Sequence, residues 1–63
     1  MQIELTENEL RNLVGVLEQR LHELRHEIVH TAAHEFKRRL IEDEHVLQCL
    51  HDKLVTVEAI TAA

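Results

Sequence analysis

The chain has 63 residues, of which 44% are hydrophobic and 30% charged, with one glycine, no proline and a formal net charge of −5 at neutral pH. Turns depend on glycine and proline, so this composition excludes an all-β domain, and the recurrent aliphatic residues exclude a disordered chain. The negative net charge argues against a bulk attraction to nucleic acid or to an anionic membrane surface.

The length predicts a single domain spanning residues 1–63, whose core alone supplies no more than about 3–5 kcal/mol. Cys49 is the only cysteine, so stabilisation by an internal disulfide is excluded and self-association is the favoured alternative. No apolar run approaches the about 18 residues that a bilayer-spanning helix needs. Residues 1–5 lack the basic start and apolar stretch of a secretory signal. We therefore expect a cytoplasmic protein with no membrane contact.

A first helix is predicted over about residues 7–30. Thr6-Glu7-Asn8-Glu9 fits a capping box, in which the Thr6 hydroxyl accepts from the Glu9 amide and the Glu9 carboxylate accepts from the Thr6 amide. After this start, apolar residues recur at alternating spacings of four and three, which is typical of a heptad seam. The seam comprises Leu10, Val14, Leu17, Leu21, Leu24 and Ile28.

A second helix is predicted over about residues 32–58. Its seam repeats the same spacing through Phe36, Leu40, Asp43, Leu47, Leu50, Leu54 and Val57. Asp43 occupies a seam position, where it either lies half-exposed because the seam locally rotates or pairs with His22 or Arg25 across the hairpin.

The eight-residue step from Ile28 to Phe36 breaks the heptad. Either the chain turns near residues 30–33, with Thr31 capping the second helix, or one long helix shifts its stripe. We favour the turn, and hence an all-α antiparallel hairpin of two long helices.

Two helices bury one stripe each and leave Leu13, Val16 and Ile41 outside it, so we expect two hairpins to assemble as a dimeric four-helix bundle. The predicted interface consists of Leu10, Leu13, Val14, Val16, Leu17, Leu21, Leu24, Ile28, Phe36, Leu40, Ile41, Leu47, Leu50 and Leu54. Charge favours packing with the turns at opposite ends. Residues 20–39 hold five basic and three acidic residues, a net charge of +2, whereas the remainder holds two basic and nine acidic, a net charge of −7.

Histidines recur every fourth position at His22, His26, His30 and His34, and produce two overlapping H-E-x-x-H patterns. This spacing places two imidazoles on one helix face, as zinc metalloproteases require. The resemblance to those enzymes covers five to nine residues, and 63 helical residues cannot build a substrate cleft. We expect a solvated face, with weak Zn²⁺ or Ni²⁺ binding by His22, His26 and His30 as an alternative.

A basic corner forms a further candidate site. Arg25, Lys37, Arg38 and Arg39 are the residues that a small nucleic-acid-binding regulator would use. A solvated helix face is the simpler interpretation, and the net charge opposes this role.

Three segments resemble a group of short, uncharacterised bacterial helical-hairpin proteins. They are Ile3-x-Leu5-Thr6-x-x-Glu9-Leu10, Leu21-x-x-Leu24-Arg25-x-Glu27-Ile28-x-His30-Thr31 and Glu35-Phe36-Lys37-x-x-Leu40. The resemblance implies a fold and no activity. In size and layout the chain is also similar to the plasmid repressor-of-primer protein, a dimeric hairpin bundle that binds RNA loops, but this is an analogy of architecture.

The sequence thus predicts a non-enzymatic protein without a cofactor, which acts through self-association and contact with an unidentified protein partner. No arrangement of serine, histidine and aspartate or phosphate-binding loop suggests catalysis. The expected partner is a second copy of the chain.

Overall fold

The computed structural model describes residues 1–62 and contains two helices, α1 (Glu7–His30) and α2 (His34–Ala62). They pack against each other as a hairpin with dimensions of 43 × 22 × 15 Å. The hairpin is confirmed, and the single continuous helix is excluded. Within residues 1–62 there is no β-strand.

The start of α1 follows the capping box. The Thr6 hydroxyl accepts a hydrogen bond from the Glu9 amide at 3.1 Å, and the Glu9 carboxylate accepts one from the Thr6 amide at 2.8 Å. These bonds satisfy two backbone donors that a helix start otherwise leaves free. The helix runs from residue 7 to residue 30, as predicted.

The turn between the helices contains neither glycine nor a left-handed residue. Thr31 leaves α1 in extended conformation, with φ −87° and ψ 127°, and no described residue has a positive φ. The expected role of Thr31 as the N-cap of the second helix is wrong, because α2 begins only at His34. Ala33 precedes it, and its carbonyl accepts the Lys37 amide at 2.9 Å. An extended residue reverses the chain here, so glycine is not required.

The seam of α1 forms the core of the hairpin. Leu24 has no exposed surface, and α1 buries Leu10, Val14, Leu17, Leu21 and Leu24, with Ile28 half-buried. On α2 only Leu40 is buried among the described residues, while Leu47 and Leu54 are half-buried. The apolar row of α1 and the apolar row of α2 therefore pack against each other along the hairpin.

The second row of the α2 seam differs from the prediction. Phe36, Asp43 and Leu50 are exposed, whereas Glu44 and His51 are half-buried against α1. Residues 36, 43 and 50 lie on one side of the Leu40 row, and residues 44 and 51 lie on the other. The rotation of α2 leaves the Asp43 carboxylate exposed to water, so the carboxylate incurs no desolvation penalty.

Two further details of α2 differ from expectation. The helix begins two residues later than predicted and continues to residue 62, four residues beyond the predicted end. Near the termini, Ile3 and Leu5 line a groove with Leu54 and Val57. The N-terminal segment therefore lies beside the end of α2.

Candidate functional site

Side-chain contacts between the helices define one broad side of the hairpin, which we call the polar face (Glu18, Arg25, Glu44, Gln48 and His51). The Arg25 Nε lies 3.5 Å from the Glu44 Oε2, and its guanidinium also donates to the side-chain oxygen of Gln48. The His51 Nε2 lies 3.3 Å from the Glu18 Oε2. These three contacts join α1 to α2 outside the leucine rows.

His51 is the least expected member of the polar face. Its ring lies between two carboxylates, with Nδ1 3.6 Å from the Asp52 Oδ1 in addition to the Glu18 contact. Within residues 1–62, neither ring nitrogen forms a hydrogen bond. A half-buried histidine whose ring nitrogens lack hydrogen bonds stabilises the helix contact less than an apolar residue would.

Exposed aliphatic side chains mark the opposite broad side, which we call the apolar face (Leu13, Val16, Val46 and Leu50). Val16 and Val46 are each 64% exposed, and Leu50 is 39% exposed. Leu13 and Val16 precede Arg20 by seven and four residues, so each points within about 40° of the direction of Arg20. Leu50 follows Val46 by one turn of α2.

A groove shows that the two parts of the apolar face lie on the same side of the molecule. Arg20 and Leu24 from α1 line it together with Asp43, Val46 and Leu47 from α2. Arg25, by contrast, lies about 140° around α1 from Arg20. The apolar and polar faces are therefore opposite sides of the hairpin.

Arg20 is the main charge on the apolar face, and it is held within its own helix. Its Nη1 lies 3.5 Å from the Glu23 Oε2 and 3.4 Å from the Glu27 Oε1. The guanidinium is directed along α1 towards the turn, away from Leu13 and Val16. The aliphatic residues nearer the termini thus form a patch without an intervening ion pair.

Of the predicted interface residues, those of the α1 seam and Leu40 lie inside the hairpin. Leu13, Val16 and Leu50 lie on the apolar face, which also includes Val46. Ile41 belongs to neither set, because it lies about 140° around α2 from Val46 and lines a separate groove with His34, Lys37 and Arg38.

The histidine series lies on the exposed outer side of α1. His22 and His26 line a groove with Glu23 and Glu27, and the rings of His26 and His30 are 4.4 Å apart at an angle of 50°. In the part of the chain that the structure describes, no three histidine, cysteine, aspartate or glutamate side chains converge as a metal site would require. The hairpin therefore offers at most pairs of neighbouring ligands on one helix.

The basic corner is divided by the fold. Arg25 contacts Glu44 and Gln48 on the polar face. Lys37 is half-buried and Arg38 and Arg39 are exposed, and among residues 1–62 these three form no ion pair. The free basic groups therefore cluster in the first turns of α2, where the helix dipole adds partial positive charge.

Several features of the site were missed from the sequence. Glu44 and His51 were assigned neither to the seam nor to contacts between the helices. The two residues are seven positions apart and follow Leu40 and Leu47 by four residues each, so they form a row beside these leucines. Their charges complement Arg25 and Glu18 on α1, and this complementarity is the signal that could have found them.

Comparisons with protein-family models, with curated proteins and with solved structures found no match to this chain. Among the described residues, neither helix combines the length and apolar character needed to cross a membrane.

Proposed function

We propose that this chain is a non-enzymatic helical hairpin that associates with a second copy of itself as a dimeric four-helix bundle. The bundle then acts by contact with other proteins. The observation that supports this most strongly is the apolar face. Four aliphatic side chains stand exposed on one broad side of the hairpin, opposite a side on which polar contacts join the two helices.

The small core supports the same proposal. In residues 1–60, six hydrophobic side chains are buried, five of them from α1. A lone core in a chain of this length supplies no more than about 3–5 kcal/mol. Full burial of a valine or leucine contributes about 1.5–3 kcal/mol, so covering Val16, Val46 and Leu50 would add substantially to stability. Association therefore supplies what a two-helix layer lacks.

We also propose that the protein resides in the cytoplasm. Cys49 is a free and exposed thiol, and its Sγ lies 3.9 Å from the His45 Nε2. An exposed free thiol is best preserved in a reducing compartment.

Sedimentation equilibrium between about 1 and 100 µM tests the proposal, since this range covers dimers with an association free energy of about 5.5–8 kcal/mol. We expect a mass twice that of the 7.4 kDa chain at the upper end, with a thermal midpoint that rises with protein concentration. A mass of one chain throughout, together with a concentration-independent midpoint and full helicity, would refute self-association.

A second candidate function is supported by the free basic groups at the start of α2. Lys37, Arg38 and Arg39 could contact phosphates, and we propose nucleic-acid binding as the alternative. Retention on a nucleic-acid column at low salt should then be lost in the double variant Arg38→Glu, Arg39→Glu. Arg11→Glu is the matched control, because Arg11 lies far from the turn and pairs with Glu7 at 3.6 Å. Absence of retention by the unmodified chain would exclude this candidate.

A further inference from the structure

The two broad sides of the hairpin differ in the side-chain contacts that join the two helices. The polar face joins α1 to α2 through Arg25, Glu44, Glu18 and His51. The apolar face has no comparable contact between the described side chains of the two helices, and its valines are about two-thirds exposed. Val29 is also exposed on the polar side, but there polar contacts already join the two helices. The apolar face lacks such contacts and groups aliphatic residues of both helices, so it is the side that a partner would cover.

The dimensions fit a complete interface. The broad side is 43 Å long and 22 Å wide, which is about as large as the ~800 Å² that each partner buries in an interface of standard size. Arg20 lies beside Val46, Glu23 pairs with Arg20, and Lys53 follows Val46 by two turns of α2, so charged residues border the aliphatic ones. An apolar centre with a charged border is the usual composition of such surfaces.

The charge distribution selects the occupant and its direction. Residues 43–47 of α2 lie beside Arg20 and Leu24 of α1, so the half of the hairpin around the turn comprises about residues 20–47, which hold five basic and six acidic residues, a net charge of −1. The half with the termini holds two basic and six acidic residues, a net charge of −4. A second copy laid with its turn at the opposite end places its nearly neutral half against the acidic half of the first. The opposite choice, with both turns at one end, places the two acidic ends together and is opposed by their repulsion.

A two-fold axis also brings the apolar face onto itself. Val16 and Leu50 lie near the middle of α1 and α2, and an axis through this region apposes the same residues of both copies. The surface is then self-complementary, with aliphatic residues at its centre and the two acidic ends of the copies kept apart.

We propose that the apolar face (Leu13, Val16, Val46 and Leu50) is the surface on which a second copy of this chain docks, with the two turns at opposite ends of the dimer. This inference rests on the proposed self-association and assigns it to one side and one direction. The polar face, with His51, then remains on the outside of the assembly.

Two valines of α1 provide a matched test of the side. Val16 is 64% exposed and precedes Arg20 by one turn on the apolar face, whereas Val29 is 74% exposed and follows Arg25 by one turn on the polar side. We expect Val16→Lys to raise the dimer dissociation constant at least about tenfold, because an unpaired charge would be buried at the interface. Val29→Lys should change it by less than about twofold.

The outcomes separate this inference from the proposed function. If both variants weaken the dimer equally, or Val29→Lys alone does so, the assignment to the apolar face is overturned while self-association stands. If the unmodified chain is a monomer at every concentration, the proposed function fails and the inference fails with it. Circular dichroism of each variant at high concentration establishes that the helices are intact.

A distance measurement tests the direction. Spin labels are attached to Ala33→Cys, in the exposed turn, on a background of Cys49→Ser. With the turns at opposite ends, the distance between the labels of the two chains should be close to the 43 Å length of a hairpin. Adjacent turns would bring the labels to roughly 10–20 Å, given the usual spacing of packed helices, and this result would overturn the proposed direction.

Discussion

Leu24 offers the clearest test of how the core holds the hairpin together. It is the one described side chain with a large volume and no exposed surface, and it lines a groove together with Asp43 and Leu47 from α2. Replacing it with alanine removes three carbon atoms from a contact that two helices alone cannot rearrange to fill. Such substitutions cost about 2–5 kcal/mol, through lost burial and the cavity that remains.

The expected loss is comparable to the whole stability of a chain this short. With no more than about 3–5 kcal/mol available from its core, Leu24→Ala should be largely unfolded at room temperature and micromolar concentration. Leu24→Met, which conserves volume, should lose less than about 1.5 kcal/mol, and Val29→Ala, at an exposed position, less than about 0.5 kcal/mol.

Urea denaturation followed by circular dichroism measures these differences. All variants are compared at one protein concentration, because association shifts the apparent stability. If Leu24→Ala unfolded at the same urea concentration as Val29→Ala, then the α1 seam would not be the core of the molecule, and the packing described above would be refuted.

Four further predictions concern the cap, the helix interior and the polar face. Thr6→Ala should lower the free energy of unfolding by about 1 kcal/mol through loss of the cap; an unchanged urea midpoint would contradict this. Hydrogen bonds, first from the Thr6 backbone amide and then from its hydroxyl, lower the pKa of Glu9 below its ordinary value of 4.5. The stability that ionised Glu9 contributes is therefore present above that value and is lost as the pH falls through the lowered pKa of the folded state. Glu9→Gln should flatten this part of the pH profile of the melting temperature, and an identical profile would exclude the linkage. Gly15→Ala should stabilise the chain by about 0.5–1 kcal/mol, since a Cβ there meets no atom within 4 Å; a lower melting temperature would reveal a neighbour at this position. His51→Leu should raise the urea midpoint, because both ring nitrogens lack hydrogen-bond partners among the described residues; a lower midpoint would mean that the Glu18 contact stabilises the native state.

Local interactions made the first helix predictable. The capping box joins residues only three apart, so Thr6 and Glu9 determine the helix start without help from the rest of the chain. The α1 seam was likewise predictable, because one row of aliphatic residues has no competitor on that helix. Leu10, Val14, Leu17, Leu21 and Leu24 are all buried.

The rotation of α2 could not be read from apolar spacing. Leu40 and Leu47 belong to two possible seams, one completed by Phe36 and Leu50 and the other by Glu44 and His51. Counting apolar residues favours the first, but α2 presents the second towards α1. Contacts across the hairpin, to Arg25 and Glu18, accompany this choice, and they depend on the register of the other helix.

The turn illustrates a different limit. Thr31 is a good capping residue by type, yet it ends α1 in extended conformation, and α2 starts at His34. Threonine and alanine can reverse a chain in several backbone conformations. The sequence near residue 31 contains no glycine or proline that would favour one of these conformations. The position of the turn was predictable, but its capping arrangement was not.

The candidate site was predictable only in composition. The exposed aliphatic residues Leu13 and Val16 were recognised as a second surface, but Ile41 was grouped with them although it lies elsewhere on α2. Whether exposed residues on two helices share one side depends on the rotation of both helices. That rotation is a property of the packed hairpin.

Small-angle X-ray scattering on the eluting peak of a size-exclusion column tests the central claim, that the hairpin pairs with a second copy, most directly. The intensity at zero angle should correspond to twice the 7.4 kDa chain mass, with a radius of gyration above that of one hairpin. A scattering mass of 7.4 kDa with a radius of gyration close to the 14.0 Å of the isolated hairpin would contradict it.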